Sequence, residues 1–143
     1  MKKALTGLLC AALFSFTPVF ASNTATEKTA LPIRVYGVGP VRPYEITLDT
    51  TDTDLTIRTP VSGNMACIVG IDLSEGTAAN VTFSSASDTN LYLELAANQG
   101  LAQNIGQGIF YCSQPGEALK VKSSAAITGF WINVIEAARL EVR

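Results

Sequence analysis

From Pro32 onward the chain is written in short runs rich in Val, Ile, Thr, Phe and Tyr, broken by clusters of Gly, Pro, Asn and Asp. Such runs, bounded by turn residues, are the signature of β-strands. The expected strands are 33–38, 44–49, 54–59, 64–73, 80–85, 90–95, 108–112, 118–123 and 128–135. In Tyr44-Glu45-Ile46-Thr47-Leu48-Asp49 and Asp54-Leu55-Thr56-Ile57-Arg58, apolar and polar residues alternate, so a strand sends them to opposite faces. Val81, Phe83 and the run Leu91-Tyr92-Leu93-Glu94-Leu95 follow the same rule. Cys67-Ile68-Val69-Gly70-Ile71 and Phe130-Trp131-Ile132-Asn133-Val134-Ile135 are instead apolar at nearly every residue. Those two strands are expected to be central, or covered on their second face by a neighbouring subunit. Past the leader no stretch carries a helical stripe, apart from a single turn read near 96–102. The fold class is therefore all-β: an antiparallel β-sandwich, jelly-roll-like, with an immunoglobulin-like strand order as the alternative.

The first 21 residues read differently. Lys2 and Lys3 precede an apolar run from Ala4 to Phe16, Pro18 breaks it, and Val19-Phe20-Ala21 ends in small or short residues. That is the layout of a secretory signal peptide, and the run is short for a membrane span of roughly 20 residues. Lipidation at Cys10 is not expected, because Leu9 stands where a lipobox wants a small residue. Residues 1–21 are thus expected to be a signal peptide, 22–31 a flexible polar arm or a terminal strand needing a partner, and 32–143 one domain. The expected location is exported, periplasmic or extracellular, with no membrane span after cleavage.

Cleavage would leave 122 residues (143 less 21) with 8 basic and 12 acidic groups, a net charge of about −4. Scattered Lys and Arg on an acidic chain offer no phosphate-binding stripe, so nucleic acid is not an expected partner. Cys67 and Cys112 remain, and in an oxidising compartment an even count reads first as a disulfide. Each sits in an expected strand, so the bond is expected to link non-adjacent strands. The alternative is two buried thiols.

The chain has no histidine. Ser-His-Asp and Cys-His machinery is excluded, along with the commonest transition-metal ligand, and two cysteines cannot complete a zinc site. Asp49, Asp52 and Asp54 are spaced like calcium ligands but lack the glycine and terminal glutamate of an EF-type loop, so they read as a solvated hairpin tip. Glu94, Glu117 and Glu136 have no context that makes them a glycosidase pair. Gly37-Val38-Gly39-Pro40 and Gly106-Gln107-Gly108 are followed by no helix, so they read as turns and bulges rather than nucleotide loops. No catalytic residue, metal or cofactor is expected.

Phe110, Tyr111, Phe130 and Trp131 read first as core or subunit contacts. Phe130 and Trp131 are successive in one strand and must point to opposite faces, so at most one joins a given core. The other needs a cover, or stacks on a sugar ring. Tyr92, Phe130 and Trp131 are therefore the candidate ligand or subunit contacts.

In the second half, motifs stand in a recognisable order. Cys67-Ile68-Val69-Gly70-Ile71-Asp72-Leu73-Ser74 and Ala79-Asn80-Val81-Thr82-Phe83-Ser84-Ser85 lead to Leu95-Ala96-Ala97-Asn98-Gln99-Gly100. Gly108-Ile109-Phe110-Tyr111-Cys112, Gly116-Glu117-Ala118-Leu119-Lys120-Val121 and Ala126-Ile127-Thr128-Gly129-Phe130-Trp131-Ile132 follow. This order, over residues 65–136, resembles small β-sandwich virion proteins of tailed phages, in head-decoration and tail-fibre or spike modules. The resemblance implies a compact antiparallel sandwich, often a trimer, that builds or decorates a particle and has no active site. Such virion proteins carry no export leader and have little use for a disulfide, so either the resemblance is one of fold alone or this is an exported product with a virion-like sandwich. The sequence thus leads to a non-enzymatic exported structural or assembly protein forming homo-oligomers, trimers favoured. The alternative is a periplasmic or extracellular binding module for a glycan or a protein partner.

Overall fold

The computed structural model describes residues 22–35, 38–74, 76–86 and 91–138, so the leader expected at 1–21 lies outside the described residues. Ten strands follow one another: β1 (Thr24–Glu27), β2 (Arg42–Leu48), β3 (Leu55–Arg58), β4 (Asn64–Ser74) and β5 (Ala79–Ser84), then β6 (Leu91–Leu95), β7 (Gly100–Gln103), β8 (Tyr111–Cys112), β9 (Leu119–Ser123) and β10 (Ile127–Ala138). No helix occurs among the described residues.

All pairings are antiparallel. The first sheet runs β1-β2-β10-β4-β7, with β8 also on β4, and the second runs β3-β9-β5-β6. Along the chain the pairs are nested: β2 with β10, β3 with β9, β4 with β7 and β8, β5 with β6. This is one long antiparallel ribbon, rolled until β10 meets β4 and β9 meets β5. A ribbon closed this way is the jelly roll.

Between the sheets lies the core, including Ile46, Leu48, Ile68, Leu73, Val81, Phe83, Leu119, Val121, Ile132 and Val134. Full burial of one such Leu, Ile or Phe contributes about 1.5–3 kcal/mol. Phe83 meets Phe110 edge-on, with ring centroids 6.2 Å apart.

Two bulges explain the strands that do not alternate. On β4, Gly70 pairs with Asn133 and Ile68 with Val134, so Val69 is an extra residue. Ile68 and Ile71 consequently both face the core, while Cys67 and Val69 face out. On β10, Thr128 pairs with Thr47 and Phe130 with Ile46, leaving Gly129 extra at φ +73°. That left-handed backbone suits glycine. It puts both Ile127 and Phe130 in the core and turns Trp131 outward.

The second face of β4 and β10 is covered by the chain itself. Val35 and Val41 pack with Cys67, Val69 and Ile135 in a second buried cluster, with Leu31, Val38 and Ile105 at its margin. The covering segment doubles back through bridges Leu31↔Val41 and Val35↔Val38, so it is a strap and not the regular strand expected at 33–38. It is tight enough that a Cβ on Gly39 would stand 2.8 Å from the Ile33 carbonyl oxygen.

At 22–31, the terminal strand finds its partner within the same chain: Thr24–Glu27 pairs with β2 along the sheet edge. The strand β7 was not expected, since a turn alone was read there. The disulfide joins Cys67 to Cys112, which sit directly opposite each other on β4 and β8 with Cα atoms 4.0 Å apart. The bonded strands are therefore adjacent, and the expectation of a link between non-adjacent strands is corrected. Closing a loop of 45 residues stabilises the fold by about 4 kcal/mol in the chain-entropy model.

Candidate functional site

The outer face of the first sheet is divided. One half, around Cys67, Val69 and Ile135, lies under the strap. The other half is open, and Trp131 stands in it, 39% exposed. Register places Trp131 directly between Glu45 on β2 and Asp72 on β4, with Ala102 of β7 beyond Asp72. Two residues along β10, Asn133 points to the same side. Trp131, Asp72, Asn133, Asn104 and Ile105 line a shallow groove of about 480 Å³. Lys28 closes one flank: its ammonium lies 2.6 Å from the Glu45 carboxylate and 5.6 Å from the Trp131 ring centroid. The side chains of Asp72 and Asn133 have no hydrogen bond or ion pair to any described residue. A flat apolar ring beside a free carboxylate and a free amide matches a ligand with one apolar face and several hydroxyls.

The outer face of the second sheet is built otherwise. Thr82 of β5 stands between Tyr92 of β6 and Lys122 of β9, and Ser84 is opposite Lys120. One row further, Asn80 is opposite Glu94, and Ser124 receives the Asn80 amide on its hydroxyl at 2.9 Å. The result is a trough of about 340 Å³ with a floor of small polar side chains, where Tyr92 is 57% exposed. It runs on, through Asn80 and Ser124, into a hollow of about 570 Å³ beside Glu94 and Gln99.

Of the three aromatic candidates, Tyr92 and Trp131 are exposed on opposite faces of the sandwich. Phe130 is only 2% exposed and belongs to the core, which corrects its reading as a contact residue. Asp49, Asp52 and Asp54 are exposed in the β2–β3 loop, where the Asp52 amide bonds the Ser123 carbonyl. No group of three His, Cys, Asp or Glu among the described residues is placed to hold a metal ion. Glu94, Glu117 and Glu136 lie on separate elements, and Glu136 is engaged by Arg58.

That Arg58–Glu136 contact belongs to a polar network that sequence reasoning missed. Arg58 of the second sheet bonds Glu136 of the first and reaches Glu27 at 3.6 Å. Glu27 also receives Arg42 at 2.5 Å and the Tyr44 hydroxyl at 3.0 Å. Burial pushes the Glu27 carboxyl up, but the bonds from Arg42 and Tyr44 and the charges of Arg42 and Arg58 outweigh it, holding it below the ordinary value. Burial, and then the Glu27 bond, raises the Tyr44 hydroxyl. The partners are up to 78 residues apart, so no local pattern announces the network.

The strand order and the two open faces define an all-β jelly roll with a disulfide, a bond of oxidising compartments. No protein-family model, curated protein or solved structure matches the chain. Among the described residues no helix is long and apolar enough to cross a membrane.

Proposed function

We propose that this chain is a non-enzymatic exported binding module that holds a glycan on the open half of its first sheet, with Trp131 as the stacking platform. One observation carries the reading: Trp131 stands exposed on a polar face, between the unpaired Asp72 and Asn133 and the Lys28–Glu45 pair. The ring supplies the apolar contact, and the free carboxylate and amide supply directional bonds to hydroxyls. With Glu45 neutralised by Lys28 and Asp72 unpaired, the face is mildly anionic and favours uncharged sugars over acidic ones.

A glycan array probed with the purified protein tests this. Binding to neutral glycans is expected, lost in Trp131→Ala and weakened in Asp72→Asn. Silence across the array, or binding that survives Trp131→Ala, refutes it.

The jelly-roll strand order favours a second reading, because capsid and lectin domains share it. In that reading the protein is an exported structural or assembly component, a homo-oligomer with a trimer favoured, as the motif order over 65–136 suggests. The strap removes one argument for it, since the chain itself covers the apolar outer halves of β4 and β10. Size exclusion with light scattering separates the two: a stable trimer supports assembly, a monomer the binding module.

A further inference from the structure

We infer that the trough on the second sheet is a separate saccharide site, selective for a sugar bearing one carboxylate. It does not rest on the Trp131 reading, because the two faces lie on opposite sides of the sandwich and share no residue.

The register supplies the argument. Lys120 and Lys122 are two apart on β9, so both ammonium groups rise from one face, with Cα atoms about 7 Å apart. Neither makes an ion pair or hydrogen bond with a described residue. In the row of Lys122 come Thr82 and then Tyr92, a span of about 9.5 Å at the normal strand spacing. An exposed phenol ring therefore faces a cation across a floor of hydroxyl side chains. A sugar ring seated over Thr82 would lay its apolar face on Tyr92 and direct its carboxylate to Lys122, the lysine that lines the trough, with Lys120 one row along β9.

The surroundings limit the ligand to a single anionic group. Glu94 is the next outward residue on β6, and Asp52 lines the trough together with Lys122. A string of phosphates or sulfates would run into both carboxylates. A lone inorganic anion would leave the aromatic wall and the hydroxyl floor unused. The carboxylate must sit at the lysine end, with the neutral part of the glycan extending past Asn80 toward the larger hollow.

Amide NMR titrations of the purified protein with methyl glucuronide, methyl glucoside and inorganic phosphate test the inference. Saturable shifts at Thr82, Tyr92 and Lys122 are expected with the glucuronide, about tenfold weaker with the glucoside or phosphate, as expected when a charge-assisted contact or the ring contact is missing. Tyr92→Ala and Lys122→Gln each weaken the glucuronide response by a similar factor, while Trp131→Ala leaves it unchanged. Both substitutions are on solvent-facing positions, and spectra that keep their dispersion show the variants folded. Equal responses to glucuronide and glucoside, a phosphate response as strong as the glucuronide's, shifts confined to the Trp131 face, or no shifts would each overturn it.

Discussion

Replacing Ile135 with alanine tests whether the strap, rather than a second subunit, completes the outer core. Ile135 is fully buried and packs with Val35, Val41, Cys67 and Val69. Three buried carbons are lost, at about 0.8 kcal/mol each, for a transfer loss of about 2.4 kcal/mol. The cavity left behind adds to this, but a strap relaxes more readily than a sheet, so the total should be about 3 kcal/mol. With a urea slope of about 1.5 kcal/mol per molar, the unfolding midpoint falls by about 2 M. The assay is equilibrium urea denaturation followed by Trp131 fluorescence, over a hundredfold range of protein concentration (about 0.5–50 μM) chosen to expose any mass-action term. If the strap is the cover, the loss is the same at every concentration. A loss under about 1 kcal/mol, or one that grows with protein concentration, would refute the reasoning, because the cover would then be absent or supplied by another molecule.

Glu27 should lend the fold a pH-dependent increment. Its carboxyl is held below the ordinary value, so the stabilisation is complete above about pH 4.5 and is lost as pH falls through the lowered value. Glu27→Gln should therefore lower the urea midpoint at pH 7, and the gap to the parent should narrow progressively as pH falls below about 4.5; a gap that does not narrow with acidification would refute the assignment. Gly129→Val should cost about 1–2 kcal/mol through backbone strain alone, since φ is +73° and no atom lies within 4 Å of the added Cβ. A thermal melt checks this, and a cost near zero would mean that the bulge migrates.

Much of the fold was legible because alternation is a local signal. In β2, β5 and β6 the apolar residues read from the sequence are those that face the core. The short strand β7 was missed, and β1 stayed open between a flexible arm and a strand, for the converse reason. Thr24–Glu27 and Gly100–Gln103 carry no apolar alternation, and their partner strands β2 and β4 supply what order they have. The site was legible only as a choice. Adjacent Phe130 and Trp131 had to part company, but which one enters the core depends on the bulge at Gly129.

The sequence by itself determined the all-β class and the expectation of a disulfide, and it excluded histidine chemistry, because composition and period-two alternation are properties of neighbours along a strand. The tertiary structure decided how the ribbon rolls, that Cys67 meets Cys112 on an adjacent strand, and that Leu31, Val35, Val38 and Val41 cover the outer apolar stripe. It also decided which polar groups stand together on each open face: Asp72 beside Trp131, and Lys122 across from Tyr92. These are meetings of residues far apart in the chain. Register between strands sets them, and register follows from the packing of the whole sandwich rather than from any short segment of it.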